Sequence, residues 1–528
     1  MKNLKPVKQA LISVSNKFGI IELAKSFVDR KINILSTGGT SVFLKKNNIP
    51  FKNISDYTEF PELMDGRIKT IHPKIHGGIL GRRKKDDAVM KLYNIIPIDI
   101  VVVNLYPFLE NMSKNINNMD DIINYIDIGG STLIRSAAKN HQDVMVLTDP
   151  LDYKKAIKIL DENNNNFPIK NKFYMACKAF EYISQYDSII FGCLKTKYNE
   201  YYNEKNNFIY LPKIINLNLI KKQNLRYGEN HHQKAALYFD NTQKPTDIVA
   251  AKQIQGKLLS YNNLSDADIA WECVKTFLKP ACVIVKHGTP CGVSENISII
   301  NAYISAYKCD PTSAFGGVIA FNGLLNSDTV QTIINQQFVE VIIATNISKN
   351  ALKILETKKN IRVLICSNIQ KQKNKFSFKQ INGGVLVQDI DSENINEKTW
   401  TIVSNCKPNH EEYEDAIFAW KVVKFVKSNA VVYVKNKKTI SIGSGQTSRI
   451  YSTKIANLKL IDQKIKIKNI IMASDAFIPF RDNVDIAKKN GVNCIIQSGG
   501  SIRDKEVIQA VNEYNMIMIF TNIRHFKH

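Results

Sequence analysis

Two patterns of apolar residues alternate along the first part of the chain. Short apolar runs predict buried β-strands at 10–14, 32–35, 99–105 and 143–147. Between the first two runs, apolar residues recur with a helical period from Ile20 to Val28, which predicts a helix with one buried face. Strands that alternate with helices are typical of a parallel sheet covered on both faces. Residues 10–150 are therefore predicted to form an α/β domain.

Polar segments join these predicted elements. Ser36–Ser41, STGGTS, leads from the second strand into a helix, and its hydroxyls and backbone N–H groups predict an anion-binding turn. No Gly-Lys-Ser/Thr follows, so the turn is not a P-loop. Gly66–Pro73, GRIKTIHP, carries two cations and a hydroxyl, and its Gly and Pro are expected to exclude a helix. Asp127–Ser131, DIGGS, opens another helix, with Arg135 and Lys139 on one face.

Two segments have part of the spacing of a metal site, and neither is predicted to bind a metal. His72 and His76 have the spacing of a helical metal pair, but Pro73 between them makes a shared helical face unfavourable. Pro290-Cys291 matches half of the zinc signature of nucleobase deaminases. Ser294 stands where the second cysteine is needed, and no His-x-Glu lies nearby.

The second part of the chain is organised around a buried strand predicted at Ala281–Val285, which Lys286 and His287 follow directly. In open α/β sheets, ligands collect beyond the carboxyl ends of strands, so this pair is a candidate for acid/base chemistry without a metal. The alternative is a lysine that reaches solvent and a histidine bonded to backbone.

A polar segment without periodicity, 198–207, predicts the main domain boundary, and an Asn/Lys-rich stretch at 371–375 divides the second part. Two pairs of short segments in the second part are similar to each other, 283–286 to 432–435 and 312–315 to 474–477. This similarity predicts a duplicated α/β unit.

Composition limits the class of protein. The 528 residues, 44% of them hydrophobic, are too many for one core, and the net charge of +24 would attract anionic molecules. A nucleic-acid-binding protein is the alternative, but the lysines are scattered and no basic stripe with aromatics stands out. Nine cysteines without a Cys-x-x-Cys motif predict a reducing compartment. The first apolar run is too short for a signal peptide and no segment is long enough to span a membrane, so we expect a cytoplasmic protein.

Motifs from about residue 8 to the end resemble one family, the bifunctional purine-biosynthesis proteins. These join phosphoribosylaminoimidazolecarboxamide (AICAR) formyltransferase to inosine monophosphate (IMP) cyclohydrolase. The resemblance rests on ISVSNK, STGGTS, GRIKTIHPKIHGG, NLYPF, IDIGGSTLIRSAAKNH, LRYGENHHQ, VKHGTPCGV, SAFGGVIAFN, VKSNAVV, GSGQTSR, ASDAFIPFRDNVD and TNIRHFKH. It implies the last two steps of de novo IMP synthesis, namely formyl transfer from 10-formyltetrahydrofolate to AICAR and dehydrative ring closure of formyl-AICAR.

The resemblance also implies an architecture. A methylglyoxal-synthase-like parallel-sheet domain, the cyclohydrolase, is expected at 1–197. A duplicated, zinc-free, cytidine-deaminase-like transferase domain is expected at 208–528, with halves at about 208–370 and 380–528. The family implies a homodimer, no tightly bound cofactor, and AICAR, formyl-AICAR and reduced folate as small-molecule partners. A relic with one silent domain is the remaining alternative.

Candidate site residues carry over by position. In the cyclohydrolase the implied catalytic residues are Lys69, Tyr106, Asp127 and Lys139. Its implied substrate-binding residues are Ser13, Ser15, Lys17, Ser36, Thr37, Gly38, Gly39, Thr40, Arg67, Thr70, Asn104 and Gly129. In the transferase, Lys286 and His287 are the implied catalytic pair, and the nucleotide contacts are Arg226, Tyr227, Asn263, Asn429 and Arg524. The implied folate contacts are Phe315, Arg449, Pro479, Phe480 and Asp482. The family commonly has Thr-Asn where this chain has Gly288-Thr289, and Phe where it has Ile478.

Overall fold

A computed structural model of the chain describes residues 6–106, 108, 119–201, 211, 213–240, 246–366, 376–392, 395–464 and 467–528. The chain divides into two compact units, Met1–Asn218 and Leu219–His528. Each unit is built around its own sheet. The stretch at 371–375 and most of the polar segment at 198–207 lie outside the described residues, so the predicted domain limits stay predictions.

The first unit contains a five-stranded sheet with the order β3-β2-β1-β4-β5, and all its neighbours are parallel. The strands are β1 (Gln9–Val14), β2 (Asn33–Ser36), β3 (Lys52–Asn53), β4 (Ile100–Asn104) and β5 (Met145–Leu147). The parallel sheet predicted from the apolar runs is confirmed. Because the strand order reverses between β1 and β4, their carboxyl ends form a crevice where ligands bind in such sheets.

Helices accompany the strands of the first unit, and several of them pack against this sheet. They are α1 (Ile20–Asp29), α2 (Gly38–Lys46), α3 (Ile54–Thr58), α4 (Pro73–Leu80), α5 (Asp87–Leu92), α6 (Met119–Asn124), α7 (Ile128–Lys139), α8 (Tyr153–Glu162) and α9 (Ile169–Tyr201). In α1 the predicted face is buried at Ile20, Leu23, Ala24 and Phe27. The long helix α9 packs against β5 and against α7, the helix that begins at the DIGGS turn.

The expectation for Gly66–Pro73 is partly wrong. Residues Met64–Gly66 form a 3₁₀ turn, and Pro73 begins α4 rather than preventing a helix. Proline is well tolerated at the first helical position, where its missing N–H has no intrahelical partner. His72 caps α4, since its Nδ1 accepts a hydrogen bond from Lys74 N (3.1 Å), and His76 follows in the first turns of the same helix. Because His72 has an extended backbone (φ −139°, ψ 141°) outside the helix that Pro73 begins, the two histidines do not share one helical face, as the sequence predicted. Among the residues that the structure describes, no three His, Cys, Asp or Glu side chains converge to hold a metal ion.

The second unit is built on a 12-stranded sheet with the order β18-β23-β22-β21-β19-β20-β10-β9-β11-β13-β15-β8. Its strands are β8 (Lys252–Gln255), β9 (Ala281–Lys286), β10 (Thr289–Glu295), β11 (Gly317–Phe321), β13 (Val339–Ala344), β15 (Arg362–Ile365), β18 (Thr401–Ile402), β19 (Val431–Lys435), β20 (Lys438–Gly443), β21 (Ile470–Ser474), β22 (Val492–Gln497) and β23 (Ile517–Phe520). Three separate pairs complete the strands: β6 (Leu219–Asn224) with β7 (Ala236–Asp240), β12 (Leu324–Leu325) with β14 (Asn346–Ile347), and β16 (Phe376–Ile381) with β17 (Gly384–Asp389).

The 12-stranded sheet repeats one arrangement on either side of the β10–β20 contact. The hairpin β9–β10 has its counterpart in β19–β20. Outward from the hairpin, each half has an antiparallel strand (β11 or β21), two strands parallel to it (β13 and β15, or β22 and β23) and an antiparallel edge strand (β8 or β18). The helices are α10 (Asp247–Ala250), α11 (Tyr261–Val274), α12 (Ile299–Tyr307), α13 (Pro311–Ala314), α14 (Ser327–Gln336), α15 (Lys349–Glu356), α16 (His410–Val423), α17 (Arg449–Asp462), α18 (Asp482–Lys489) and α19 (Asp504–Glu513). The likeness of each half to a cytidine deaminase stays a prediction.

Matching helices explain why the two halves take the same form. Both α11 and α16 begin with a capping box and bury a tryptophan, Trp271 and Trp420, at the same place. A Cβ on Gly292 would lie 2.0 Å from Ala306 O, and one on Gly443 would lie 2.0 Å from Ser452 O, so each hairpin needs a bare glycine under its helix.

One step of the sequence argument needs correction here. Strand β9, which delivers Lys286, is antiparallel to both its neighbours β10 and β11. The rule for parallel sheets therefore does not apply to it, and the pair stands at a hairpin turn instead. Among the described helices, none combines the length and the apolar character needed to cross a membrane.

Candidate active sites

In the first unit, the turn STGGTS lies at the carboxyl end of β2, where α2 begins. Ser36 is buried and its hydroxyl donates to Ile12 O (3.0 Å), which ties the turn to β1. Gly38 has φ +55°, a conformation that glycine adopts without strain, and it opens α2. The turn therefore presents backbone N–H groups and hydroxyls at a helix N-terminus, the arrangement that binds phosphate.

Lys69 connects the turn to the loop predicted to carry catalytic residues. Its Nζ lies 2.8 Å from where a Cβ on Gly38 would be and 3.4 Å from the equivalent point on Gly66. Burial raises the pKa of Asp127 and the Lys69 charge acts against this rise, so the two groups interact across the site. The structure thus gathers Lys69, Asp127 and the anion-binding turn in one place.

Asp127 is the N-cap of α7, and its Oδ1 accepts from Gly130 N (2.7 Å). Burial raises its pKa above the usual range, while the Gly130 N–H and the Lys69 charge act in the opposite direction. A Cβ on Gly129 would lie 2.7 Å from Thr70 Oγ1, so glycine is needed where the two loops approach each other.

The crevice between β1 and β4 carries a second set of predicted residues. Asn104 Oδ1 accepts from Ser15 N (2.7 Å) and from Asn16 N (2.8 Å), which joins the two strand ends. Lys17 Nζ donates to Val14 O and lies 3.2 Å from Thr40 Oγ1. Burial lowers the pKa of Lys17.

Three supporting residues were not predicted from sequence. From α9, the Tyr182 hydroxyl accepts from Leu105 N (3.0 Å) and the Tyr186 hydroxyl accepts from Asp127 N (2.8 Å). They hold the backbone beside Tyr106 and at Asp127. Glu62 Oε1 accepts from the Thr37 hydroxyl (2.7 Å) at the anion-binding turn. A helical pattern can place Tyr182 and Tyr186 on one helix, but it cannot reveal what their hydroxyls contact, and Glu62 has no local pattern that marks it.

The remaining residues predicted for the cyclohydrolase are less directly linked to Lys69 and Asp127. Ser13 pairs with Val103 in the sheet, Gly39 has open space at its Cβ position, and Tyr106 is exposed beyond β4. Arg67 is exposed and donates to Asn124 Oδ1 (2.6 Å).

Lys139 is at the far end of α7 from Asp127, about 18 Å away at the helical rise of about 1.5 Å per residue. It lines a separate cleft of about 460 Å³ with Arg135, His141 and Phe173. Its catalytic role stays a prediction that this geometry does not support.

In the second unit, Lys286 and His287 occupy the turn between β9 and β10. Lys286 Nζ donates to Phe315 O (2.7 Å), so its ammonium lies over the loop before β11. His287 is exposed and has φ +52°, an uncommon conformation for a residue other than glycine. Asp266 Oδ2 accepts from His287 N (3.2 Å) and Oδ1 accepts from Gly288 N (2.6 Å).

Residues from the second half of this unit contact the turn of Lys286 and His287. Lys427 Nζ donates to His287 O (3.0 Å), and Lys427 N donates to Thr289 Oγ1 (3.1 Å). Ser428 lies between Lys427 and the predicted nucleotide contact Asn429. Its N–H donates to Lys527 O (3.0 Å) and its hydroxyl accepts from Lys527 N (3.2 Å), which ties it to the C-terminal segment that carries Arg524. Lys286, His287, Asn429 and the C-terminal segment are therefore brought into one region.

Other predicted nucleotide contacts lie around the start of α11. Arg226 covers the ring of Tyr227 at 5.4 Å, and Tyr227 O accepts from Tyr261 N. Asn263 is buried, takes part in the capping box of α11 and donates to Glu340 Oε2 (2.8 Å). These bonds use one of the two N–H groups of its amide and one of the two lone pairs of its oxygen, so the amide keeps a donor and an acceptor for a further partner.

The predicted folate contacts fall into two groups. Phe315 is 61% exposed beside Lys286, which leaves its ring available to a flat heterocycle. Pro479, Phe480 and Asp482 lie in the second half, where Arg503 covers the Phe480 ring at 4.9 Å. Arg449 is buried and donates to Asp475 Oδ1 (2.7 Å) and Phe477 O (2.8 Å), so it holds the backbone that leads to Pro479.

Two α/β units, one with an anion-binding turn at the carboxyl end of β2 and one with a Lys-His turn, are typical of a two-domain enzyme that acts on small anionic substrates. Comparison with known proteins gives the family. A family model described as AICARFT/IMPCHase bienzyme matches residues 137–459, and one described as MGS-like domain matches residues 19–132. The chain therefore belongs to the AICARFT/IMPCHase bienzyme family, and the family predicted from the motifs is confirmed. It is a bifunctional enzyme of the last two steps of purine biosynthesis.

Full-length relatives agree. The chain is 54% identical over 525 residues to proteins named "Bifunctional purine biosynthesis protein PurH" from Buchnera aphidicola subsp. Acyrthosiphon pisum strains 5A, Tuc7 and APS, with 99% of each chain covered. A solved structure entitled "Crystal structure of ForH" is 30% identical over 34% of this chain and 96% of its own, with a TM-score of 0.30, and it adds nothing to the fold assignment.

Proposed function

We propose that the first unit closes the ring of formyl-AICAR at the site formed by the anion-binding turn, Lys69 and Asp127. The carboxamide nitrogen attacks the formyl carbon of the same molecule and water is lost. This step gains mainly from holding a folded conformer of the substrate. The observation that supports the site is Lys69, whose ammonium lies beside both Gly38 and Asp127. Lys69, Tyr106 and Asp127 then carry protons and stabilise charge.

The second unit, we propose, transfers the formyl group at the turn of Lys286 and His287. The 5-amino group of AICAR is conjugated with its ring and carboxamide, so it is a weak nucleophile whose proton must be removed as it attacks. His287 is exposed at the tip of the hairpin and serves as this base. Lys286, held 2.7 Å from Phe315 O, stabilises the negative charge that develops on the formyl oxygen or the departing nitrogen.

The formyl donor we propose is 10-formyltetrahydrofolate, used as a co-substrate and not retained. The exposed Phe315 ring beside Lys286 suits a pterin, and the basic surface suits the glutamate tail. Neither step needs a metal or a bound cofactor, because each consists of nucleophilic attack and proton transfer. We expect the protein to act in the cytoplasm.

We further propose that the chain works as a homodimer. The hairpin β16–β17 is a separate two-stranded sheet, and it exposes Ile381, Val385 and Leu386. Such a hairpin is marginally stable alone in water, and exposed apolar groups of this kind mark interfaces. Sedimentation analysis of the purified chain, and of a variant with charged residues at Val385 and Leu386, tests this proposal.

One assay separates the two activities. The purified protein is mixed with AICAR and 10-formyltetrahydrofolate, and tetrahydrofolate and IMP are measured separately. Formation of both supports the proposal. Tetrahydrofolate without IMP indicates a silent first unit, and no tetrahydrofolate, with IMP formed from added formyl-AICAR, indicates a silent second unit.

A further inference from the structure

The turn that carries Lys286 and His287 is held by two charged side chains. One oxygen of the Asp266 carboxylate accepts a hydrogen bond from His287 N (3.2 Å), and the other accepts one from Gly288 N (2.6 Å). Lys427 Nζ donates to the carbonyl of His287 at 3.0 Å. Both peptide groups that flank the His287 Cα are therefore bound by a charge, and such bonds are stronger than neutral ones.

This arrangement decides where the imidazole points. The left-handed conformation of His287 is unfavourable for an L-residue, so it persists only where the surroundings impose it. Because the side chain of His287 is exposed, few packing contacts limit its direction. The direction of its Cα–Cβ bond then depends on the backbone, and the backbone depends on Asp266 and Lys427.

We propose that Asp266 is a positioning residue for formyl transfer, which it supports by holding the His287 backbone, with Lys427 as its counterpart on the carbonyl side. This inference rests on the proposed role of His287 as the base. Asp266 touches neither substrate in the proposal. Its effect reaches the reaction only through the orientation of the turn.

The second half of the sheet has the same carboxylate-bound turn, but without a histidine at its tip. Asp415 occupies the place of Asp266 in α16, and its oxygens accept from Asn436 N (2.8 Å) and Lys437 N (2.7 Å). Asn436 and Lys437 also have positive φ, +54° and +52°. Here Asn436 replaces the histidine, and Lys437 is used in an ion pair with Glu414 at 2.6 Å. Asp415 is therefore a matched control that has the structural role alone.

The test compares Asp266→Asn with Asp415→Asn in the full-length protein. An amide has one oxygen, so it can accept from one N–H while its NH₂ group faces the other. We expect Asp266→Asn to lower kcat for formyl transfer by about 10- to 100-fold, because a misplacement of about 1 Å can cost about 10²-fold. KM for AICAR and ring closure of added formyl-AICAR should stay near the parental values. Asp415→Asn should lower the midpoint of thermal unfolding about as much as Asp266→Asn does, while its rate of formyl transfer stays within about threefold of the parent.

A double-mutant cycle separates positioning from a general structural role. In a His287→Ala background, Asp266→Asn should cost less than about threefold, since the group it positions is gone. A full additional loss in that background would show that Asp266 acts by another route, and transfer at the parental rate by Asp266→Asn would remove it from the mechanism.

If Asp266→Asn fails to fold, Lys427→Met on the exposed side of the turn gives the same comparison. A fall in kcat is expected, and an unchanged kcat would contradict the proposal. If His287→Ala itself keeps normal transfer, the role of His287 is wrong, and this outcome is distinct from a failure of the positioning inference.

Discussion

At the scale of single residues, the two proposed sites differ in how their reacting groups are kept in place. Asp127 is a helix cap whose carboxylate is bound by Gly130 N, and burial raises its pKa. His287 stands in a left-handed turn and depends on its backbone bonds. Substitutions at the first site therefore disturb electrostatics, whereas those at the second disturb orientation.

His287→Ala should lower formyl transfer by about 10²-fold or more, the usual contribution of a general base. Ring closure of formyl-AICAR should be unchanged, because the proposed cyclohydrolase residues lie in the first unit. Asn436→Ala is the control, since Asn436 has a similar left-handed φ of +54° and alanine is equally strained there. Steady-state rates of tetrahydrofolate and IMP formation measure both effects. Near-normal transfer by His287→Ala would leave the histidine with a structural role only.

At the scale of elements, the duplicated halves of the second unit share one packing constraint. In each half, a hairpin strand passes directly under a helix, and a glycine makes this approach possible. Close packing of this kind allows no room for an added methyl group.

Gly292→Ala should therefore destabilise the second unit by at least about 2 kcal/mol, the cost of forcing an extra methyl group into a packed interior. The added Cβ would meet Ala306 O, a backbone atom that cannot rotate away. Gly192→Ala is the control, because a Cβ at this position of α9 would have no neighbour within 4 Å, and no loss of stability is expected. Denaturant unfolding measures both. Equal stability of the two variants would mean that β10 and α12 separate easily.

An ion pair joins the two halves of the second unit, and it predicts a pH dependence. Asp310 Oδ2 lies 2.9 Å from Lys459 Nζ, and Asp310 also binds Ser313. Burial acts to raise the pKa of Asp310, but these partners outweigh it and the net pKa is lowered. The unfolded chain therefore binds the proton more tightly. The stability that Asp310 adds is present above the unfolded pKa of about 3.9 and is lost as pH falls through the lower folded pKa.

Asp310→Asn should thus reduce stability by about 1–2 kcal/mol at pH 7, the cost of losing a hydrogen-bonded charge. The difference from the parent should shrink below about pH 4, where the parental carboxylate becomes protonated. Urea unfolding midpoints of both proteins from pH 7 to pH 3 provide the measurement. A difference that stays constant over this range would show that the ion pair does not contribute.

At the scale of the whole molecule, local patterns in the sequence predicted much more of the fold than of the contacts. The apolar runs predicted four of the five strands of the parallel sheet, whereas the short polar strand β3 has no such run. The similarity of 283–286 to 432–435 predicted a repeated unit, and the corresponding strands β9 and β19 lie in the two halves of the 12-stranded sheet. Contacts between distant residues, such as Asp266 with His287 or Tyr186 with Asp127, have no local signature. Pro73 shows a second limit, because proline both ends helices and begins them.

The two chemical steps should be separable along the chain. A fragment ending at Asn218 contains the whole first unit and its own core, so we expect it to fold and to close the ring of formyl-AICAR at a rate near that of the full-length protein. Circular dichroism checks folding, and IMP formation from formyl-AICAR measures activity. A folded fragment without activity would show that ring closure needs the second unit.

The two activities should nevertheless be linked by equilibrium. Transfer of a formyl group to a weakly basic amine is expected to be unfavourable, and ring closure would remove its product. In Lys69→Ala the cation beside Gly38 and Asp127 is lost, so ring closure should stop while transfer continues. Tetrahydrofolate should then form only until formyl-AICAR reaches its equilibrium level, which chromatography of the reaction mixture would show.

Adding the fragment that ends at Asn218 should restart tetrahydrofolate formation by Lys69→Ala, because the fragment consumes the accumulated formyl-AICAR. Lys74→Ala is the control, since Lys74 follows in the same segment but its Nζ lies 3.6 Å from the exposed Glu59, and exposed pairs contribute little. That variant should make IMP at the parental rate. Steady IMP production by Lys69→Ala at the parental rate would remove Lys69 from the site. A stalled reaction that the active fragment does not restart would instead show that formyl-AICAR stays bound to the second unit, so that transfer is limited by product release rather than by equilibrium.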